Sequence, residues 1–397
     1  MNRYRLPLVK NTISKQDLNA LARWLVKEPQ LTKGPLSDQF EKMFSHWLGP
    51  KYAHYVNSGS SGNLLAIHSL LIAGLLSPGD RVVAPAVSWT TTVAPISQLN
   101  CRPILCDCDK ENLGLDINHL KKLIKTTHPK AVVVCHVLGI PGHLKEIKAL
   151  CQKHNLVLIE DCCEALGSLY HGRKVGTFGH LSTFSFYYGH HLSTIEGGMI
   201  CTNSKKLSNI IRSLRSHGWD RDLDASAQRH LRKKYHIDPF TAKYTFYYPG
   251  YNFRANDVGA FLGLRQLRRL DSVINKRVKT WLQYLKELSE ATWKPHPPNG
   301  SQVSGFSFPL LSPNRLILAE TFEKAGVETR PLIGGSVGRQ PWYIDKYGLN
   351  SLPHAEVIHR FGLYVPVNPA MKHKDVQAIS SLALNHPTAS VRQLPLL

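Results

Sequence analysis

Two adjacent histidines, His190 and His191, lie in the stretch Ser182 to Gly198, which reads STFSFYYGHHLSTIEGG. An imidazole changes charge near neutrality, so one histidine can take a proton and later return it. Asp161 ends the apolar run LVLIE. A carboxylate there can pair with a protonated ring nitrogen, or serve as a helix cap or surface acid. Glu164 follows three residues later on the same edge. Ser58-Gly59-Ser60-Ser61-Gly62 is a run of small residues between an apolar strand and a helix. Such a run lets backbone N–H groups and hydroxyls meet a phosphate, although a plain turn has the same composition. Trp89 follows a strand end and can stack on a flat ring or fill a core. Ser185 stands five residues before His190, within reach of the same phosphate. Arg221 and Arg330 carry forks suited to carboxylates, or sit on the surface.

Positioning these groups is the task of a strand–helix alternation. AHYVN, RVVAPAVSW, PILCDCD, AVVVCHVLG and LVLIEDCC read as buried strands. Helical stretches such as NLLAIHSLLIAGL, INHLKKLIKTT and HLKEIKALCQKHN separate them. That pattern predicts an α/β chain with a mostly parallel sheet covered on both faces, and ligands at the carboxyl ends of its strands. The stretch STFSFYYGHH continues as a strand that turns at Gly189. Residues 220–250 read as an excursion around the site mouth. From GYNFRAND onward a single long helix is expected to bridge to a smaller α+β part with strands at GFSFPLL and VETRPLI. The expected division is 1–250 for an arm and a large cofactor-binding domain, and 251–397 for the bridging helix and small domain. Residues from about 386 onward read as a loose tail.

Taken together, Gly59/Ser60, Trp89, Asp161, Glu164, Ser185, His190 and Asn252 resemble, in order and spacing, the DegT/DnrJ/EryC1/StrS sugar aminotransferases, which are fold-type I pyridoxal phosphate enzymes. The likeness covers about residues 6–380. In that family S-F-x-x-x-K precedes G-[DE]-G-G, and the lysine binds the cofactor aldehyde covalently. Here His190 takes the lysine's place, and an imidazole moves protons but cannot make that link. The resemblance implies pyridoxal or pyridoxamine phosphate held without a covalent bond. Gly59, Ser60, Trp89, Asp161, Glu164, Ser185 and Asn252 would hold it, Asn252 reaching the phosphate across a homodimer. The usual residue at 164 in the aminotransferases is Gln or a small polar group; Glu164 is nearer the dehydratase pattern.

Within the family, a histidine-bearing branch of GDP-4-keto-6-deoxymannose 3-dehydratases shares the HH…EGG rhythm, HGW-x-R (His217, Arg221), PGYN-x-R (Arg254) and E-x-RP (Glu328, Arg330). That likeness implies removal of the C3 hydroxyl from a nucleotide-linked 4-keto-6-deoxyhexose, with glutamate restoring the amine form of the cofactor. His190 would act as base and then acid, with an imidazole that titrates near neutrality. Pro29, Gln30, Leu31 and Thr32 would touch the sugar nucleotide, and His217, Arg221, Arg254, Glu328 and Arg330 would line the substrate pocket. A second histidine branch carries an iron–sulfur cluster, with a ligand near Cys163. No cysteine follows Cys201, so four ligands cannot be assembled and no metal or cluster is expected.

Composition bounds the alternatives. The 397 residues are 43% hydrophobic and 19% charged, ordinary for a globular chain. The eight cysteines all fall between Cys101 and Cys201, in mostly apolar contexts, and read as buried free thiols. No apolar run approaches a membrane span and the start shows no export signal, so a cytoplasmic location is expected. The net charge of +21 points to anionic partners. Its dense stretch at 264–279 reads as a solvated helix face without a nucleic-acid motif. A sugar aminotransferase with an atypical site, and an anion- or nucleic-acid-binding protein without activity, are the rival readings.

Overall fold

The computed structural model describes residues 4–289 and 292–385; the expected tail from 386 lies outside them. Helices α1 (Lys15–Leu25) and α2 (Pro35–Leu48) come first. Ser14 and Asp17 form a reciprocal capping box at α1, and Pro35 opens α2 where its missing N–H costs nothing. The alternation follows as β1 (Tyr52–Val56), α3 (Gly59–Ile72), β2 (Arg81–Pro85), α4 (Thr90–Gln98), β3 (Arg102–Cys106), α5 (Ile117–Thr127), β4 (Ala131–Cys135), α6 (Leu144–Lys153) and β5 (Val157–Asp161). Two short strands, β6 (Leu169–Tyr170) and β7 (Arg173–Lys174), lead to β8 (Leu181–Ser185), β9 (Gly198–Thr202), α7 (Lys205–Arg215) and α8 (Ala225–Lys234).

Seven strands form one sheet in the order β1-β9-β8-β5-β4-β2-β3. The pairs β3–β2, β2–β4, β4–β5 and β5–β8 are parallel, while β8–β9 and β9–β1 are antiparallel. Every residue of β4 and β5 is buried, as apolar strands covered on both faces must be. The carboxyl ends of β4, β5 and β8 therefore open on one edge, beside the amino ends of α3 and α4.

The later chain adds α9 (Asp257–Leu267), α10 (Leu270–Glu287), β10 (Ser301–Gln302), β11 (Ser307–Leu311), α11 (Arg315–Lys324), β12 (Arg330–Pro331), α12 (Pro341–Tyr347), α13 (Pro353–Phe361), β13 (Gly362–Pro366) and α14 (His373–Asn385). Strands β11, β13 and β12 make a second sheet, and β10, β6 and β7 a third. The bridging helix is two helices rather than one. Arg269 leaves the helical basin at φ −116° and ψ 8°, and its guanidinium reaches the Thr12 carbonyl and the buried Asp17 carboxylate. Nor is 264–279 wholly solvated: Arg268, Lys276 and Lys279 are exposed, whereas Arg277 is 1% exposed. The 220–250 excursion contains α8, and α4 is a helix that sequence periodicity hid behind a threonine run and an internal Pro95.

Candidate active site

The amino end of α3 is the first surface of the site. Ser58 caps it by accepting the Ser61 N–H at 3.0 Å. A Cβ added to Gly59 would lie 2.8 Å from both Cys163 Sγ and Ser185 Cβ. Only glycine lets the helix start, the end of β8 and the segment after β5 meet so closely. Ser60 donates to Thr91 Oγ1 at 3.0 Å, which ties α3 to the first turn of α4. Trp89 immediately precedes that turn and is 56% exposed, a free aromatic face beside the strand ends. Gly59, Ser60, Trp89 and Ser185 thus come together. Ser185 is the last residue of β8, so His190 lies in the loop beyond the strand rather than on it.

Asp161 and Glu164 occupy contrasting environments. Asp161 Oδ2 accepts from Asn63 Nδ2 and Thr92 Oγ1, each at 2.8 Å, and Oδ1 accepts the Cys163 N–H at 3.1 Å. An ionised carboxylate has about four acceptor positions, so these three bonds leave one on Oδ1. Glu164 accepts one backbone N–H, from Leu138 at 2.7 Å, in a turn where Leu138 sits at φ +52°. Burial and the nearby Asp161 charge push the Glu164 carboxyl up to about 8 despite that bond, so it holds its proton at neutral pH. Asn63, Thr91 and Thr92 were not singled out from sequence, and Cys163 only for its place near a cluster ligand in the second histidine branch. The threonine run after Trp89 was the only local signal for two of them.

His190 closes a turn whose backbone N–H meets the Tyr187 carbonyl at 3.0 Å, with Val9 of the amino-terminal arm against Gly189. Its half-buried ring lies 5.1 Å from Phe306 and 6.4 Å from Tyr187, and its Nδ1 is buried without a hydrogen-bond partner. Burial, then the charge of Arg277, lowers the imidazole to about 4; the Cys163 carbonyl offsets part of this. The expectation of a histidine titrating near neutrality is corrected here. The ring is held well below the ordinary range because water is excluded and a like charge stands behind it. His191 points elsewhere, bonding the Ser304 carbonyl through Nε2 at 3.0 Å.

Three further groups hold the remaining residues singled out from sequence. His217, in a left-handed conformation at φ +61°, meets Arg254 Nη2 at 3.1 Å, and Arg254 Nε donates to Asn252 Oδ1 at 3.0 Å. Arg221 lies over the Trp219 ring at 4.0 Å and near Tyr244 at 5.1 Å. The Asn57 N–H bonds the Phe253 carbonyl at 3.0 Å and Val56 bridges to Arg254, so this cluster sits one residue from the Ser58 cap. The exposed 29–32 turn joins the start of α9, where the Asp257 N–H donates to the Leu31 carbonyl at 3.0 Å; Gln30 folds back onto the Lys33 carbonyl. Arg330 pairs with Glu328 at 2.7 Å, and Glu328 also accepts the Leu8 N–H at 3.0 Å. Arg330 is opposite Tyr364 across β12 and β13. Burial raises the Tyr364 phenol, and the Glu164 charge adds to it.

Seven of the eight cysteines are buried and all are free, as expected. His136, Glu160 and Cys162 lie within 4.8 Å of one another, a spacing that suits a metal. Glu160, however, already accepts the N–H groups of Gly176, Phe178 and Gly179 and bonds His136 Nε2. Four donors fill its oxygens, so the trio braces the 176–179 turn.

Against known proteins, residues 12–382 match the sequence profile of the DegT/DnrJ/EryC1/StrS aminotransferase family. GDP-4-keto-6-deoxy-D-mannose 3-dehydratase of Yersinia pseudotuberculosis is 32% identical over 369 residues, which are 90% of this chain and 93% of its own. The solved E. coli GDP-4-keto-6-deoxy-D-mannose-3-dehydratase with bound hydrated PLP superposes with a TM-score of 0.88 at 29% identity, covering 96% of this chain and 99% of that one. A GDP-4-keto-6-deoxymannose-3-dehydratase with a trapped PLP-glutamate geminal diamine does so at 0.87 and 28%, covering 95% and 100%.

Proposed function

This chain belongs to the DegT/DnrJ/EryC1/StrS aminotransferase family, and from that premise we propose that it is a pyridoxamine-phosphate-dependent 3-dehydratase. Its proposed substrate is a nucleotide-linked 4-keto-6-deoxyhexose, GDP-4-keto-6-deoxymannose first, with L-glutamate as co-substrate. The observation that carries this reading is the imidazole of His190 at the head of the loop after β8, where an aminotransferase of this family needs an amine. The 3-dehydratase relatives support the substrate class.

The residues present suit the cofactor. Gly59 lets the α3 amino end sit directly against Ser185, and there backbone N–H groups and Ser185 would receive the phosphate. Trp89 would cover one ring face, and the remaining Asp161 lone pair would accept from the pyridinium N–H. When bound, pyridoxamine phosphate supplies the amine that condenses with the C4 ketone and the electrons that replace the C3–O bond. His190, neutral at working pH, would accept a proton as the base and, as imidazolium, would return it to the leaving C3 hydroxyl, which departs as water. Glu164, protonated, would donate a hydrogen bond toward the ring oxygen rather than add a second negative charge beside Asp161.

His217, Arg221, Arg254, Glu328 and Arg330 would bind the sugar nucleotide and the glutamate carboxylates, with the 29–32 turn at the rim. We read the active form as a homodimer in which Asn252 completes the neighbouring site, working without a metal. Residues 1–250 would form the arm and the large cofactor-binding domain, and 251–397 the bridging helices and the small domain. No helix among the described residues is long and apolar enough to cross a membrane, and the cytoplasm is the proposed location. Incubation with GDP-4-keto-6-deoxymannose, pyridoxamine phosphate and glutamate tests the reading by mass spectrometry. The expected product lacks the C3 oxygen; a product that keeps it and carries nitrogen at C4 would establish an aminotransferase instead.

A further inference from the structure

Arg277 stands on α10 with its guanidinium 1% exposed. Its Nη1 donates to the carbonyls of Gly305 at 3.1 Å, Phe306 at 3.1 Å and Val367 at 3.0 Å. All three acceptors are neutral main-chain groups; none is a carboxylate. Its Nε is buried with no acceptor. A guanidinium removed from water and matched only by carbonyl dipoles is costly to fold around. An apolar side chain of similar length would avoid that cost, so the charge itself needs a reason.

The reason lies in what the clamped segment touches. Phe306 packs its ring 5.1 Å from His190, and the Ser304 carbonyl holds His191. The segment is fixed at its other side as well, since the Phe306 N–H bonds the Leu138 carbonyl at 3.0 Å, in the turn that meets Glu164. One cation thus pins the wall behind His190 and projects its field through that wall. Other groups facing the imidazole are the Cys163 carbonyl from the segment after β5, the Tyr187 ring on its own loop and the neutral, buried His191.

We infer that Arg277 is a positioning residue for the proposed dehydration, a buried cation with no carboxylate partner among the described residues that keeps His190 uncharged at rest and makes its imidazolium a readier proton donor. The inference rests on the proposed acid–base role of His190. The like charge acts oppositely on the two half-steps. By raising the energy of the imidazolium it weakens the ring as a base, and it favours release of the proton to the leaving hydroxyl. An arginine suits this task because it stays charged even where burial brings it down to about 10.

Titration of [15N]histidine-labelled protein by NMR, without substrate, tests the field directly. Wild-type His190 is expected to titrate near 4 rather than near the ordinary histidine value of about 6.5. Arg277→Gln removes the charge and keeps an amide for the carbonyls; the His190 midpoint should rise, while burial, the larger cause, still holds it below the ordinary value. Arg277→Lys keeps the charge, and its midpoint should stay low. The acid limb of the dehydration rate against pH should move with the midpoint in Arg277→Gln and stay in place in Arg277→Lys. A wild-type midpoint at the ordinary value, or a midpoint indifferent to the loss of charge, overturns the inference. Since the titration is read without turnover, a protein that dehydrates no sugar would sink the proposed function while leaving this result readable.

Discussion

The two sides of the site are built on opposite principles. On the cofactor side, Asp161 is held by three donors from α3, α4 and its own loop, and it sits in the densest part of the parallel sheet. On the facing side, His190 has an unpartnered Nδ1, Arg277 lacks a counter-carboxylate among its acceptors and Glu164 has one backbone donor for a buried carboxyl. Satisfied groups are held in place and bind. Groups that are buried but incompletely satisfied are displaced from their ordinary protonation, and such displacement concentrates where protons move. The contrast assigns retention to the first side and chemistry to the second.

The largest expected effect comes from the reactive side. His190→Asn should lower dehydration by about 10²–10⁴, the usual worth of a positioned acid–base group, while cofactor absorbance and fold persist. Dehydration at the wild-type rate would remove His190 from the mechanism. His190→Lys should instead trap the cofactor covalently, with a borohydride-stable adduct on that residue and no dehydration; wild type should show no such adduct.

Asp161→Ala probes the retaining side. It strands the Asn63 amide, the Thr92 hydroxyl and the Cys163 N–H, and each such buried group costs about 1–3 kcal/mol. Pyridoxal phosphate affinity, followed by absorbance, should fall together with the melting temperature. An unchanged affinity would mean that Asp161 is only a structural hub.

The pH dependence of stability should show the two displaced groups acting with opposite signs. His190 is lowered from 6.5 to about 4, so between those values the unfolded chain binds more protons, and this contribution falls away as pH drops through the window. Glu164 is raised from 4.5 to about 8, so there the folded chain binds more protons, and stability declines as pH rises through it. Glu164→Gln should therefore flatten the decline between 4.5 and 8 in thermal melts. An identical slope in the variant would show that Glu164 is ionised across this range, and would erase the contrast on that side.

The smallest signal concerns sharing between protomers. Mixing inactive His190→Asn and Asn252→Ala proteins should restore activity to about a quarter of the sites if pairing is random and Asn252 serves the neighbour. Absence of any recovery, with subunit exchange verified by light scattering, would confine each site to one chain.

Much of this was legible before the fold. The alternation of apolar strands and amphipathic helices specified the parallel sheet, because a strand buried on both faces must be apolar throughout, as AVVVC and VLIED nearly are. Strand ends then located Gly59, Trp89, Asp161 and Ser185 on one edge, since topology alone sends every parallel strand to the same side. The histidine at 190 stated the kind of chemistry by its side-chain type. What the tertiary structure decided was environment. Asp161 and Glu164 are both carboxylates three residues apart, and no local pattern says that one gathers three donors while the other is left with one. Arg277 sits in a stretch that reads as a solvated basic face, and only the packing of α10 against the 304–306 segment turns it inward. Protonation depends on exclusion of water and on charges from distant parts of the chain, and those distances come into being only when the chain has folded.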